Sequence, residues 1–386
     1  MAGQVTERPT RASAPEYQGA LGSLSVNASL PEVLERGIRE LRAAEEAGDA
    51  REAARCGLAV AEACRRLGRV EEADRAWKAS YRAARSAGHE GAMAWALWSG
   101  GTLARQRGAL RLAYRLLGLA AEAGERGGDV VVRGYSLAGL AETGRIQGDY
   151  EAVGRLHEQL LAGARRRGEA RHTVWALEGI AQMHRNTGSY DRALALFEEA
   201  ADTASRAEDR RGWAWALRGI ADVVSVRDGD VERALTLLTR AEEACREVRL
   251  AGALAYNHKM RGNVLYRAGR YAEARDLYAQ ALEEFHEMEE PRGTALSRLG
   301  LVKSEARLGR DAVHTAAELA SLRTALDRIG LRHARDMVDK AAAELGVGPL
   351  PEGAGAGPGD TPGEAGPVLP EVGVAALRKA DVEGLR

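Results

Sequence analysis

The chain has 386 residues, 45% hydrophobic and 29% charged, an ordinary composition for a folded chain with an extended core, so wholesale disorder is excluded. A formal charge of -1 and an isoelectric point near 6.8 leave no global basic field to hold nucleic acid or an anionic membrane; any anion preference has to come from local patches. Cys56, Cys64 and Cys245 form no C-x-x-C or Cys/His cluster, which argues against a disulfide framework or zinc site and for buried thiols.

Residues 1–29 are polar in pattern and read as a disordered N-terminal segment. Arg8 and Arg11 are followed by no continuous apolar run, and no stretch anywhere approaches the roughly 18 apolar residues of a membrane span. A cytoplasmic location follows by default. Ser29 with Glu32 three residues on reads as a capping box that opens the first helix. Between Pro31 and Pro349 the only proline is Pro291; since an interior proline costs a helix roughly 3 kcal/mol, residues 30–346 are helix-permissive throughout. Pro291 is expected in the first turn of a helix, where its missing N–H does no harm. Residues 347–368, rich in Gly, Ala and Pro, read as a flexible linker, and residues 369–386 as a tail with at most a short helix around Val374, Leu377 and Lys379.

Within the helical region a turn glycine recurs about every 40 residues, at Gly68, Gly108, Gly148, Gly188, Gly229, Gly269 and Gly309. Around it lies the pattern G-x-aromatic/aliphatic-x-x-Ala, as in Gly68/Val70/Ala73, Gly188/Tyr190/Ala193 and Gly269/Tyr271/Ala274. Such a glycine ends one helix in a left-handed conformation, and the small alanine lets the next helix approach closely. At these residues the chain resembles the tetratricopeptide repeat family in its long-unit bacterial form, from about Arg51 to Gly346. The family's small residue on the first helix of each unit (helix A) matches Ala61, Gly101, Ala141, Ala181, Ala221 and Gly262. Its bulky and small residues on the second (helix B) match Trp77 with Ser80, Phe197 with Ala200 and Tyr278 with Ala281. The resemblance implies an all-α, right-handed α-solenoid of about seven helix pairs, with capping helices from Pro31 to Gly48 and Leu331 to Leu345. It also implies that helix A lines a concave groove.

Stacked units place equivalent residues in columns. One column holds Trp95, Tyr135, Trp175, Trp215 and Tyr256; it is either packing between repeats or an aromatic ladder for an extended peptide or flat ligand. A second holds Arg65, Arg105, Arg145 and Arg185, with Glu62, Thr102, Glu142, Gln182, Asp222 and Asn263 one turn earlier. Its arginines either pair with those carboxylates or bind an anion. Glu178 and Arg218 share the same face. The sixth helix A breaks the pattern with Asn257, His258, Lys259, Arg261 and Asn263. Charge at a packing position has to be paired, with Asp276 or Glu305 as candidate partners of Arg261, or functional. By resemblance, Asn257, Lys259 and Asn263 are donors for a peptide backbone or terminal carboxylate.

No phosphate loop, G-x-S-x-G, H-E-x-x-H or Cys-His nucleophile pattern is present, so no catalytic residue, cofactor or metal is expected. The expectation is a scaffold that binds a peptide or disordered segment of a partner protein in the groove, in bacterial regulation or complex assembly. Nucleic acid and membrane are not expected partners, and a homodimer is an alternative. The alternative function is a small-molecule or catalytic site for an anionic or aromatic ligand, with Glu142, Glu178, His184, Arg185 and Arg218 as acid, base and anion clamp.

Overall fold

The structure, a computed structural model, describes residues 30–147, 150–329, 331–347 and 350. All but residues 347 and 350 of the linker expected at 347–368, the tail expected at 369–386, the N-terminal segment with Ser29, and Gly148 lie outside the described residues. Among the described residues there are sixteen α-helices and no strand. A first helix α1 (Leu30–Glu46) precedes seven antiparallel pairs. These are α2 (Ala50–Arg66) with α3 (Val70–Ser86), α4 (Glu90–Gln106) with α5 (Leu110–Arg126), and α6 (Val130–Gln147) with α7 (Tyr150–Arg167). Next come α8 (Ala170–Asn186) with α9 (Tyr190–Arg206), α10 (Arg210–Arg227) with α11 (Val231–Glu247), and α12 (Ala251–Arg267) with α13 (Tyr271–Glu287). The last pair is α14 (Pro291–Arg307) with α15 (Ala312–Ile329), followed by a closing helix α16 (Arg332–Leu345). Even-numbered helices from α2 to α14 are the A helices and odd-numbered ones from α3 to α15 the B helices. None of the described helices is long and apolar enough to cross a membrane.

The turns follow the glycines. Gly68, Gly108, Gly188, Gly229, Gly269 and Gly309 have φ between +66° and +101°. The Gly68 turn shows why: Arg69 N–H reaches back to Cys64 O at 2.8 Å, closing the carbonyl ends of α2. The return turns from B to A use Gly48, Gly88, Gly128 and Gly168, but after that Glu208, Arg249 and Glu289, at φ of +55°, +50° and +47°. Pro291 stands in the first turn of α14, as its ring requires.

Packing between units rests on a glycine that has no Cβ. A methyl group at Gly179, Gly219 or Gly300 would overlap the rings of His157, Phe197 or Tyr278, each on the B helix of the preceding unit; at Gly139 it would lie 2.9 Å from Leu117 Cδ2. The B-helix side chain thus seats on the next A helix at backbone distance, and a buried ring there contributes about 2–3 kcal/mol. The sixth A helix has Met260 in this place, packed beside Leu238.

The array also closes on itself. Met288, between α13 and α14, lies against Gly68, with its Cγ 2.7 Å from where a Cβ would stand. Arg107 pairs with Glu289 at 3.4 Å. Leu110 and Ile146, of the second and third units, share a core with Leu296, Leu299, Leu319 and Leu331 of the last helices. The concave groove expected from the sequence is therefore a lumen, joined along one side where the first units meet the last.

Candidate interaction site in the lumen

Electrostatics show which side chains face one another across this lumen. Arg66 on α2 feels the charges of Arg171 on α8 and Arg211 on α10, and Arg105 on α4 feels Tyr256 on α12. Burial, followed by Arg171, pushes the Arg211 guanidinium down to about 10. The interior thus gathers like charge from units far apart in sequence.

The aromatic column divides in two. Trp95 and Tyr135 are only 1% and 4% exposed and pack between units, with Trp95, Trp98 and Tyr135 ring centroids 5.3–5.4 Å apart. Trp95 Nε1–H donates to Asp129 Oδ2 at 2.8 Å, and Asp129 also accepts from the Val131 and Val132 amides as the N-cap of α6. The ring therefore ties one unit to the capping residue of the next. Tyr256 repeats this, its hydroxyl donating to Glu290, the N-cap of α14, at 3.0 Å. Trp215 cannot, because the corresponding cap position before α12 is Leu250; its buried indole N–H finds no acceptor among the described residues.

Cations cover the rings of Trp215 and Tyr256. Arg211 and Arg218 guanidinium carbons lie 4.6 and 5.5 Å from the Trp215 ring centroid. Arg218 also lies 5.6 Å from Tyr256, with Arg292 6.0 Å from the same ring. A run of Arg211, Trp215, Arg218, Tyr256 and Arg292 results, in which half-buried rings and cations interleave. Trp175, half-buried, continues the column from Tyr135 at 5.9 Å.

The arginine column is mostly internal pairing. Arg65 donates to Glu62 at 3.0 and 2.7 Å, Arg145 to Glu142 at 2.7 Å, and Arg185 and Arg267 meet Asp222 at 2.7 and 2.9 Å. Burial opposes ionisation of Glu62 and Glu142, yet Arg65 and Arg145 hold both at about 2. Arg105 differs because Thr102 stands where its neighbours have an acid or amide. Its Nε has no hydrogen-bond partner among the described residues. Gln182 donates to Asn186 at 3.1 Å, leaving the column by a local bond.

The sixth helix A corrects the expectation made for it. Asn257, 1% exposed, donates through Nδ2 to Leu238 O at 2.9 Å. His258, 4% exposed, bonds through Nδ1 to Glu284 at 2.8 Å. Arg261 donates to Thr239 at 3.0 Å and pairs with Glu242 at 3.5 Å, not with Asp276 or Glu305. Asn263 accepts from the Tyr278 hydroxyl at 2.8 Å. These four side chains face α11 and α13 because each finds its partner on a B helix. Only Tyr256 and Lys259 of that stretch join the lumen set. Burial, then Arg292, pushes the Lys259 amine down to about 7.

Glu178, Arg218 and Lys259 occupy one column position in three successive units. Burial raises the Glu178 carboxyl well above its ordinary value, and its Oε1 has no partner among the described residues. Arg171, Arg211 and Arg292, all in the first turn of their A helices, belong to the lumen but not to the expected set. The signal available was their spacing: Arg171 and Arg211 precede Trp175 and Trp215 by four residues, which puts cation and ring on one helix face. Elsewhere, Glu40, Glu52 and Cys56 bring metal-ligand atoms within 4.8 Å of one another, but Arg55 Nη2 already meets Glu40 at 3.3 Å and bonds Glu52.

Helix pairs with a left-handed glycine, a bulky B-helix residue and a lumen lined by A helices define a tetratricopeptide-repeat protein. Residues 173–247 and 255–287 match models of the tetratricopeptide repeat, so the chain carries tetratricopeptide repeats there. Among solved structures it is similar to a Rap protein complexed with competence and sporulation factor, at 14% identity over 84% of this chain and 98% of that one, with a TM-score of 0.53. It is also similar to the apo form of the quorum sensor NprR from B. thuringiensis, at 14% identity over 86% and 97%, with a TM-score of 0.49. At these identities the Rap likeness bears on the fold alone, and the NprR likeness carries no argument. No curated protein matches the chain in sequence.

Proposed function

We propose that the protein is an interaction scaffold that holds an extended segment of a partner protein in its lumen, in a regulatory or complex-assembling role. The observation that carries this reading is the interleaved run of Arg211, Trp215, Arg218, Tyr256 and Arg292. Unlike the paired arginines, these cations make no ion pair among the described residues; Arg292 donates through Nη1 to the Tyr256 hydroxyl at 3.3 Å, and the charges are left uncompensated for a ligand. Charged forks beside flat rings suit carboxylate-bearing side chains and the faces of peptide groups. The Rap protein, which is similar in fold, was solved complexed with competence and sporulation factor.

The test is affinity capture with wild type and with Arg211→Gln/Arg218→Gln, followed by titration of fragments of whatever partner is captured. A segment that binds wild type and loses at least about tenfold in affinity to the variant, roughly one charge-assisted contact, supports the reading. Equal capture by a normally folded variant overturns it. The closed lumen favours one further reading, a small anionic or aromatic ligand. A thermal-shift screen with metabolites separates the two, since only that reading expects a rise of several degrees without a partner chain.

A further inference from the structure

Lys259 stands apart from the other lysines whose surroundings are described. Lys78 pairs with Asp74 at 2.6 Å and Lys303 with Glu344 at 2.6 Å, while Lys340 is exposed to solvent. Lys259 is half-buried and in no ion pair among the described residues, and the carboxylate whose charge acts most on it, Asp222, is engaged by Arg185 at 2.7 Å and Arg267 at 2.9 Å. The other large charge effects on it are positive: Arg292 on α14, Arg218 on α10 and Arg185 on α8. Arg218 and Arg292 converge on the ring of Tyr256, one helical turn before Lys259 on its own helix.

This arrangement places an amine with no carboxylate of its own beside cations that attract a small dianion. We propose that Lys259 is a covalent modification site, acylated at Nζ by small acyl phosphates whose phosphate is drawn in by Arg218 and Arg292. The neutral amine attacks the acyl carbon, the carbon–oxygen bond to phosphate breaks, and inorganic phosphate leaves with the electron pair. The proton released from nitrogen passes to the departing phosphate or to water. The product is an amide, with no change of oxidation state, and one cation is removed from the lumen wall.

Burial and Arg292 favour the neutral form of this amine. Its lower basicity makes it a weaker nucleophile, but the gain in neutral fraction outweighs that loss, so near pH 7 it should react at least about tenfold faster than an ordinary lysine. The inference does not depend on a protein partner. The full chain is incubated at pH 7 with acetyl phosphate, and acetylation is followed at each lysine by peptide mass spectrometry, with Lys340 as internal reference. The expected result is at least about tenfold faster acetylation at Lys259 than at Lys340, suppressed by millimolar inorganic phosphate. Equal rates at the two lysines overturn the proposal. A second arm uses an uncharged acetyl ester: a preference for Lys259 that is smaller than with acetyl phosphate supports the arginine seat. An equal preference with both reagents, unaffected by phosphate, overturns it.

Discussion

Replacing Asp129 by Ala tests whether the aromatic column holds the units together through the caps of their neighbours. Asp129 accepts the Trp95 indole N–H at 2.8 Å and the amides of Val131 and Val132 at 3.0 and 2.9 Å, all in buried surroundings. Loss of the cap alone costs about 1 kcal/mol. Taking this acceptor from a buried indole adds about 1–3 kcal/mol, so Asp129→Ala should destabilise by roughly 2–4 kcal/mol. Asp49 supplies the control, because it caps α2 through the amides of Arg51 and Glu52 at 3.1 and 3.0 Å in an exposed turn and bonds no ring; Asp49→Ala should cost only about 1 kcal/mol. Urea unfolding with unchanged m-values measures both, and a cycle with Trp95→Phe isolates the ring's share. If Asp129→Ala costs no more than Asp49→Ala, the tie between units is not energetic and the reasoning fails.

Three further outcomes follow from the same structure. Burial raises the folded-state value of Glu178 above the ordinary 4.5, so this group's contribution is fully present below about pH 4.5 and is lost as pH rises toward its folded value. Glu178→Gln should therefore raise the melting temperature at pH 8 and leave it nearly unchanged at pH 4, and the same shift at both pH values would contradict the burial argument. Gly219→Ala should cost about 1–3 kcal/mol, because its methyl group meets the Phe197 ring. Gly252→Ala, with nothing within 4 Å, should instead stabilise by about 0.5–1 kcal/mol, and chemical denaturation that ranks the pair in reverse refutes the glycine seat. Glu208 and Arg249 hold left-handed backbone without being glycine. Glu208→Gly or Arg249→Gly should each gain about 0.5–1 kcal/mol in calorimetry, and a loss would show that the side chain, not the backbone, governs the turn.

The helix pairs were legible because a left-handed glycine and a proline-free interior are local requirements, written into the residues at the turn itself. The site was legible only in part. Trp175, Trp215 and Tyr256 stand at equivalent places on successive A helices, as do Glu178, Arg218 and Lys259. His258 and Arg261 broke the pattern for a structural reason: Glu242 on the preceding B helix and Glu284 on the following one neutralise them. Those acids lie sixteen or more positions away, and helix periodicity within one element cannot pair them. Gly139, Gly179, Gly219 and Gly300 were missed for a related cause, since what makes each necessary is a side chain on the previous unit. The joining of first and last units depends on accumulated rotation along the array, which no single repeat encodes.

That joining changes how the molecule comes apart. In an open array each unit answers only to its neighbours, so the ends fray and stability grows unit by unit. Here Met288 rests on Gly68 and Glu289 meets Arg107 across about half the chain. Removing the last helix pair also strips the core that Leu110 and Ile146 of the second and third units share with Leu296, Leu299 and Leu319, and local melting at either terminus propagates to the other. The array gains cooperativity, but slow, long-range loop closure has to precede its final contacts.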